Sequence, residues 1–307
     1  MKEAIKKESI FYFDAHEVLE VHPASLGDDL IDWGLQVIMA PLAWEKTKGE
    51  GVKVAILDTG VDFNHHDLQQ NIRDVIDFTG SRHGALDVNG HGTHVAGIVA
   101  AVDNQIGMIG VAPEAELYCA KVLSDTGGGN IENIIKGIRW AMAHQVDIIN
   151  MSLGTSVEPG NDLHEAIKLA TNQGIIIICA TGNNNGPVCW PAAYNETIAV
   201  SAMNNRYERA EFSNYGIKNE IIAPGINILS TYKNGTYAKL SGTSMATPII
   251  SGSAALFVSY YKKLYGKRPT VQEVHQALLD ATVDLGKEGK DEYFGAGLIN
   301  LAKLLNL

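Results

Sequence analysis

The sequence has few cysteines, few basic residues and no long apolar run. Only 3 of its 307 residues are cysteine. An odd, sparse count does not describe a disulfide framework in a chain this long. Lys and Arg number 24 against 35 Asp and Glu, and the resulting net charge of −11 disfavours nucleic acid or an anionic membrane surface as a partner. No apolar run is long enough to span a bilayer.

The N-terminal segment also lacks the signs of a secretory leader. Three lysines precede Phe13 together with Glu3 and Glu8, and the apolar patch at 10–13 is too short for a signal-peptide core. We therefore expect a cytoplasmic protein. Residues 1–27 mix charge and aromatics without a clear period, which predicts an N-terminal extension, a candidate inhibitory pro-segment. Residues 28–307 form one predicted domain.

Hydrophobic residues make up 46 % of the chain, enough for a sizeable core. From residue 52 onward, short apolar runs alternate with amphipathic stretches. Strands are predicted at 53–57, 117–123, 147–151, 174–180, 196–201 and 220–223, and helices at 89–102, 130–145, 161–173, 244–260, 271–281 and 298–305. Apolar strands separated by helices indicate an α/β fold, a three-layer sandwich with a mostly parallel central sheet flanked by helices.

Three reactive side chains lie at element boundaries, where ligands and catalysis gather in such a sheet. Asp58 follows a buried strand, His91 and His94 lie at a helix start, and Ser244 begins the apolar helix after 241-SGTSMATP-248. A serine at a helix start is well placed to act as a nucleophile. Asp, His and Ser in this order is one of the orders in which the catalytic triad occurs.

Taken singly, each of these features has an ordinary alternative. Ser244 fits a helix cap and Asp58 a turn or capping aspartate. Asp-Thr-Gly at 58–60 also matches the aspartic-protease signature, in which two carboxylates share a proton. As a single triplet it would need a homodimer, although Asp-Thr-Gly recurs at 125–127. His91 and His94 have the spacing of zinc ligands, but no glutamate lies between them and no third ligand suggests itself. The combination is more specific than its parts.

Together the motifs resemble the subtilisin (subtilase) family of serine proteases over residues 33–300. The runs that carry the resemblance are 54-VAILDTG-60, 91-HGTHVAG-97, 110-GVAP-113, 152-SLG-154, 181-TGN-183, 223-APG-225, 242-GTSMATP-248 and 294-FGAGLIN-300. The resemblance implies a serine endopeptidase of broad specificity that hydrolyses peptide bonds through an acyl-enzyme.

The same resemblance assigns roles to individual residues. Ser244 is the nucleophile, His91 the general base and acid, and Asp58 the residue that orients the imidazolium. Asn183 supplies the side-chain donor of the oxyanion hole. His94, which spacing alone did not distinguish from His91, becomes a packed helix residue.

Two glycine-containing segments resemble the edges between which the family's protein or peptide substrates lie as an added strand. They are Gly127, Gly128 and Gly129, and Ser152, Leu153 and Gly154. The triple glycine also fits a flexible loop before the next helix. The 184–190 loop is short and ends with Cys189 and Trp190, which leaves the preference of the primary specificity pocket open.

A calcium site is also implied, although a plain surface loop is the alternative. The 102–108 loop resembles the family's strong Ca²⁺ loop, and oxygen-only ligation of this kind suits Ca²⁺. The implied ligands are the Asn104 and Asp67 side chains, the carbonyls of Val102, Ile106 and Met108, and, more weakly matched, Asp29.

Within the family, the chain is most similar to the intracellular subtilisins, whose short N-terminal extension blocks the active site. We expect the extension to lie in the substrate cleft, with Pro23 keeping a nearby bond unproductive, and we expect a homodimer. The alternative function is that of a catalytically silent subtilase-like chain acting as a binding or regulatory protein. The full set of Asp58, His91, Asn183 and Ser244 argues against it.

Overall fold

The computed structural model describes residues 10–12, 20–22 and 29–307. In this part of the chain the strands are β1 (Ile10–Tyr12), β2 (Glu20–His22), β3 (Lys53–Asp58), β4 (Ile72–Asp77), β5 (Glu116–Lys121), β6 (Gly128–Asn130), β7 (Ile148–Met151), β8 (Ile176–Ala180), β9 (Thr197–Met203), β10 (Ile221–Pro224), β11 (Ile228–Tyr232), β12 (Thr236–Leu240), β13 (Thr282–Val283) and β14 (Leu298–Ile299). The helices are α1 (Trp33–Val37), α2 (Ala40–Ala43), α3 (His91–Ala100), α4 (Ile131–Ala143), α5 (Asn161–Asn172), α6 (Thr243–Tyr265), α7 (Val271–Asp280) and α8 (Leu301–Leu304).

A nine-stranded sheet in the order β13-β14-β10-β9-β8-β7-β3-β5-β4 forms the middle layer. Its paired strands run parallel except for β13, which is antiparallel to β14. Every residue of β7, β8, β9 and β10 is buried. A parallel sheet needs cover on both faces, and continuous apolar strands without alternation supply it. The predicted fold class is therefore confirmed.

Alternate residues of β3 enter two separate apolar cores. Val54 and Ile56 pack in the cluster that includes α3 and α6 residues, whereas Ala55 and Leu57 pack in the cluster that includes α4 and α5 residues. Successive side chains of a strand point to opposite faces of a sheet, so these two clusters are the two helix–sheet interfaces of the sandwich. Both interfaces position the carboxyl end of β3.

The prediction of a helix over 298–305 is wrong in its first half. Leu298 and Ile299 form β14 in the central sheet, and only Leu301–Leu304 is helical, capped by the Asn300 side chain that accepts from Lys303 N at 3.0 Å. The segment is apolar throughout, so its composition does not separate a buried strand from a buried helix turn.

Strand β4 and the hairpin of β11 and β12 are not predicted from the sequence. Strand β4 lies at the edge of the central sheet and carries Arg73, Asp74 and Asp77, because charged residues are favoured on an edge. The hairpin belongs to a separate three-stranded sheet with β2. Among the described residues, no helix is both long and apolar enough to cross a bilayer.

Candidate active site

Asp58 and His91 meet at the carboxyl end of the sheet. Asp58 is the last residue of β3 and His91 is the first of α3, and both are buried. Asp58 Oδ1 lies 2.7 Å from His91 Nδ1. Beside a carboxylate, Nδ1 carries the proton, which leaves Nε2 as the basic nitrogen. Thr59 N donates to the same Oδ1 at 2.7 Å and fixes the rotation of the carboxylate.

Ser244 is the second residue of α6, and its hydroxyl donates to the Ser152 carbonyl at 3.2 Å. In return, Ser152 Oγ donates to the Ser244 carbonyl at 2.9 Å. Pro248, four residues on, has no N–H to donate to that carbonyl, so the Ser152 hydroxyl replaces the missing helical bond. This exchange attaches the start of α6 to the end of β7, beside the carboxyl end of β3.

The Asn183 amide is oriented by Thr243. Asn183 Oδ1 accepts from both Thr243 N and Thr243 Oγ1 at 2.8 Å. Because the oxygen is engaged there, the Nδ2 end is the donor that faces the pocket, which Asn183 lines together with Ser244, Gly154 and Gly182. A side-chain N–H beside a serine nucleophile can stabilise an oxyanion.

His94, the second histidine of the motif, has a structural position. Its Nε2 lies 3.0 Å from the Ile228 carbonyl and 2.9 Å from the Ala238 carbonyl. It joins α3 to the β11–β12 hairpin and does not face Asp58. The structure therefore separates the two histidines that spacing alone left equivalent.

The two glycine-containing edge segments hold the chain's own N-terminal strand between them. Strand β1 pairs antiparallel with β6, with Phe11 opposite Gly129 and Tyr12 opposite Gly128. On the other side, Tyr12 exchanges two backbone hydrogen bonds with Gly154, at 3.1 and 2.9 Å. Gly127 lies outside β6, in the preceding turn, where its own N–H donates to the Ser124 carbonyl. An extended peptide thus fits between these edges by main-chain pairing.

The two aromatic side chains of β1 have different surroundings. Phe11 is fully buried in the apolar cluster that includes Leu153 and Ile134, whereas Tyr12 is 40 % exposed. Full burial of a phenylalanine side chain stabilises a contact by about 1.5–3 kcal/mol. Phe11 is therefore the side chain that anchors this strand.

The chain matches the model of the subtilase family over residues 49–297. The chain belongs to the subtilase family. It is similar to the intracellular serine protease of Paenibacillus polymyxa, with 43 % identity over 89 % of this chain and 86 % of the relative. The major intracellular serine protease of Bacillus subtilis (strain 168) is 44 % identical over 82 % of each chain. Subtilisin Savinase of Lederbergia lenta is 41 % identical over 88 % of this chain and 97 % of the relative.

This subtilase is a serine endopeptidase, as the family and the named relatives show. The alternative of a silent binding protein has no support from these comparisons. The geometry agrees with catalysis, because the acid–base pair is formed and Ser244 and Asn183 line one pocket.

Cys189 of the subtilase lies beside two glycines, Gly154 and Gly182, that line that pocket. A Cβ at Gly154 would be 3.2 Å from Cys189 Cβ, and one at Gly182 would be 2.8 Å from Cys189 Sγ. Asn214 Nδ2 donates to Cys189 Sγ at 3.3 Å. The other two cysteines lie inside strands, where burial raises the pKa of each thiol, so they are inert core residues.

The implied calcium ligands come together around the 102–108 loop. Asp67 is fully buried; its Oδ1 accepts from Asn104 Nδ2 at 3.0 Å and its Oδ2 from Met108 N at 3.2 Å. Asp29 accepts from the backbone of the same loop, from Asn104 N at 3.0 Å and Ile106 N at 2.9 Å. Carboxylate, amide and carbonyl oxygens are the donors that Ca²⁺ takes, so the residues present fit this ion.

Three further side chains near Asp67, those of His65, His66 and Tyr237, were not anticipated from the sequence. His66 Nε2 lies 2.8 Å from Tyr237 Oη, which donates to Asp67 Oδ2 at 2.7 Å. His65 has both ring nitrogens in contact with the backbone, at Asp67 N and Thr236 O. His65, His66 and Asp67 have the spacing of a metal-binding group, but the bonds of His65 assign it to the fold.

Proposed function

We propose that this subtilase is an intracellular endopeptidase of broad sequence preference that cleaves through an acyl-enzyme on Ser244. The observation that carries the proposal is the 2.7 Å contact between Asp58 Oδ1 and His91 Nδ1. Ser244 Oγ attacks the scissile carbonyl while His91 Nε2 takes its proton, for which the hydroxyl must leave the Ser152 carbonyl. Asp58 stabilises the imidazolium that forms.

The second half of the reaction uses the same residues. Asn183 Nδ2 and the Ser244 N–H stabilise the tetrahedral oxyanion. The imidazolium of His91 protonates the leaving amine, and water then hydrolyses the acyl-enzyme with His91 again as base. Broad preference is supported by main-chain pairing at β6 and Gly154, because backbone hydrogen bonds recognise a peptide irrespective of its side chains.

A fluorophosphonate probe tests the nucleophile. We expect the wild-type chain, freed of residues 1–27, to be labelled and Ser244→Ala not to be. Ser241→Ala is the matched control, because that hydroxyl lies in the same stretch but bonds to Asn227. Labelling of Ser244→Ala, or loss of labelling in Ser241→Ala, would contradict the assignment.

We propose that residues 1–27 act as the protein's own inhibitor. Support comes from β1, which takes up the backbone positions at β6 and Gly154 that a substrate would need. Pro23, the residue expected to protect a nearby bond, lies outside the described residues. Chains with and without residues 1–27 should differ in peptidase activity, the shorter being more active, and a peptide of residues 1–27 should inhibit it. Equal activity of both forms would contradict an inhibitory role for residues 1–27.

We further propose a Ca²⁺ ion held by Asp67, Asn104, Val102, Ile106 and Met108. The ion would supply structural charge at the end of α3, and Asp29 would hold the loop through hydrogen bonds from its backbone.

We also propose a cytoplasmic homodimer. The location is supported by the names of the intracellular relatives, and light scattering of the purified protein tests the dimer.

A further inference from the structure

Asp87 is a buried carboxylate that the mechanism above does not use. It lies four residues before His91 and is 2 % exposed. Burial raises the pKa of Asp87, although hydrogen bonds from Gly90 and Thr93 oppose the rise. A buried carboxylate needs several donors to offset its lost hydration. The donors of these hydrogen bonds show which segments of the chain Asp87 connects.

Both oxygens of Asp87 accept hydrogen bonds from the start of α3. Oδ1 accepts from Asn89 N at 3.0 Å and from Gly90 N at 2.8 Å, and Oδ2 accepts from Thr93 N at 2.8 Å and Thr93 Oγ1 at 2.7 Å. Gly90 N and Thr93 N are among the orphan donors of a helix N-terminus. The bonds of Oδ1 to Asn89 N and Gly90 N fix the turn that carries His91.

The same carboxylate also reaches the turn that carries Asp58. Thr59 Oγ1 donates to Asp87 Oδ1 at 2.9 Å and accepts from Gly92 N at 2.9 Å. Thr59 N donates to Asp58 Oδ1, and the buried ammonium of Lys121 holds the Thr59 carbonyl while pairing with Asp125 at 3.0 Å. Thr59 therefore lies between Asp58 and the first turn of α3.

We propose that Thr59 and Asp87 are positioning residues that set the distance between the Asp58 carboxylate and the His91 imidazole. The two catalytic groups belong to different elements, β3 and α3, and their contact is sensitive to small displacements. A misplacement of about 1 Å can lower the rate about 100-fold. The Thr59 hydroxyl is the connection between the two elements. The inference rests on the triad mechanism proposed above.

The chain contains a matched pair of hydroxyls that separates positioning from general stability. Thr93 Oγ1, like Thr59 Oγ1, donates to Asp87 and accepts one backbone N–H, from Asp62 at 2.9 Å. Both hydroxyls are buried. Thr59→Val and Thr93→Val thus delete equivalent bonds, but only the first lies on the route between Asp58 and His91.

The test compares both variants in the chain freed of residues 1–27. We expect Thr59→Val to lower kcat about 10–100-fold with KM nearly unchanged, and Thr59→Ser to restore it to within about 3-fold because the hydroxyl returns. Thr93→Val should lose a comparable amount of Tm but less than about 3-fold in kcat. Fluorophosphonate labelling rates should follow the kcat values.

Two outcomes would overturn the inference. One is an equal fall of kcat in Thr59→Val and Thr93→Val, which would indicate general destabilisation. The other is an unchanged kcat in Thr59→Val. If that variant is not recovered folded, Thr59→Ala and Asp87→Asn replace it with the same expectation. An unreactive wild-type protein would instead overturn the proposed mechanism, and with it this inference.

Discussion

The Asn183 amide illustrates how a single contact decides a role at the residue scale. The Thr243 N–H and hydroxyl both donate to the amide oxygen, so the amide nitrogen is the end that faces the substrate side. A reversed amide would present an acceptor to the oxyanion and destabilise it. The asymmetry of one side chain therefore determines whether the pocket stabilises or repels the developing charge.

We expect Asn183→Leu to lower kcat about 100–1,000-fold with little change in KM, because the lost donor acts on the transition state and not on the bound substrate. Steady-state kinetics on a peptide substrate checks this in the chain freed of residues 1–27. Asn184→Leu, at the next position along the chain, is the control and should retain near-normal kcat. A rise in KM with unchanged kcat would assign Asn183 to substrate binding.

Glu50 is a residue whose charge contributes to folding and not to catalysis. Its carboxylate accepts from Thr47 Oγ1 at 2.6 Å and Ser259 Oγ at 3.2 Å, and it pairs with Lys263. It thus joins the loop before β3 to the second half of α6. Burial raises the pKa of Glu50, but Lys263 and the hydroxyl and backbone donors outweigh it and bring this pKa to about 2.

A lowered pKa of a carboxyl group means that its stabilisation is complete above its ordinary pKa of 4.5 and is lost as the pH falls towards about 2. We expect Glu50→Gln to have a lower Tm than wild type at pH 7, with the difference shrinking below pH about 4.5. Thermal melts across this range test it, with the exposed Glu45→Gln as control. A difference in Tm between Glu50→Gln and wild type that stays constant with pH would contradict a stabilising role for the Glu50 charge.

At the scale of elements, the N-terminal strand β1 combines two kinds of binding. Its backbone pairs with β6 and Gly154, which requires no particular side chains. Its side-chain burial comes mainly from Phe11, which is fully buried, whereas the neighbouring Tyr12 is 40 % exposed. We expect a substrate that makes the same backbone bonds to displace a strand held in this way.

We expect Phe11→Ala to raise the activity of the full-length chain. The loss of about 1.5–3 kcal/mol of burial free energy weakens the binding of β1 between its neighbouring strands about 10–100-fold. Tyr12→Ala keeps the backbone pairing and loses less burial, because Tyr12 is already 40 % exposed, so its activity should change less than that of Phe11→Ala. Initial rates on a peptide substrate, measured before any cleavage of the chain, compare the two. Equal effects of both substitutions would argue against Phe11 as the anchor.

At the scale of the whole molecule, the 102–108 loop connects parts of the chain that are distant in sequence. Asp67 precedes β4, the loop follows α3, and Asp29 lies near the N-terminus, yet hydrogen bonds join all three. Leu30 also exchanges backbone bonds with Gly107 and Ile109. An ion bound here would stabilise the folded state as a whole, because no such site exists in the unfolded chain.

We expect Ca²⁺ to raise the Tm and a chelator to lower it, since a ligand at 100 times its Kd adds about 2.7 kcal/mol to the free energy of unfolding. Asp67→Asn should lose most of this Ca²⁺-dependent shift. Asp103→Asn is the matched control from the same region, because Asp103 pairs with Lys48 at the surface and is not in the ligand set. A Tm that Ca²⁺ does not change would exclude the site.

The α/β class and the candidates for the triad can be recognised from the order of the amino acids alone. Continuous apolar strands report burial on both faces, and Asp58, His91 and Ser244 follow or begin such elements in a known order. These signals are local, so they can be recognised without coordinates. Because the signals are local, they do not show which elements pair. The apolar run at 298–305 predicts a helix, whereas Leu298 and Ile299 pair in the sheet.

Which of these groups meet depends on the folded arrangement of the elements. It separated His91, beside Asp58, from His94, which binds backbone carbonyls, and it brought Thr59 and Asp87 into one network. It also placed residues 10–12 between β6 and Gly154. Strand pairing and contacts between distant residues depend on how the elements pack, and no local pattern of residues encodes that partner or register.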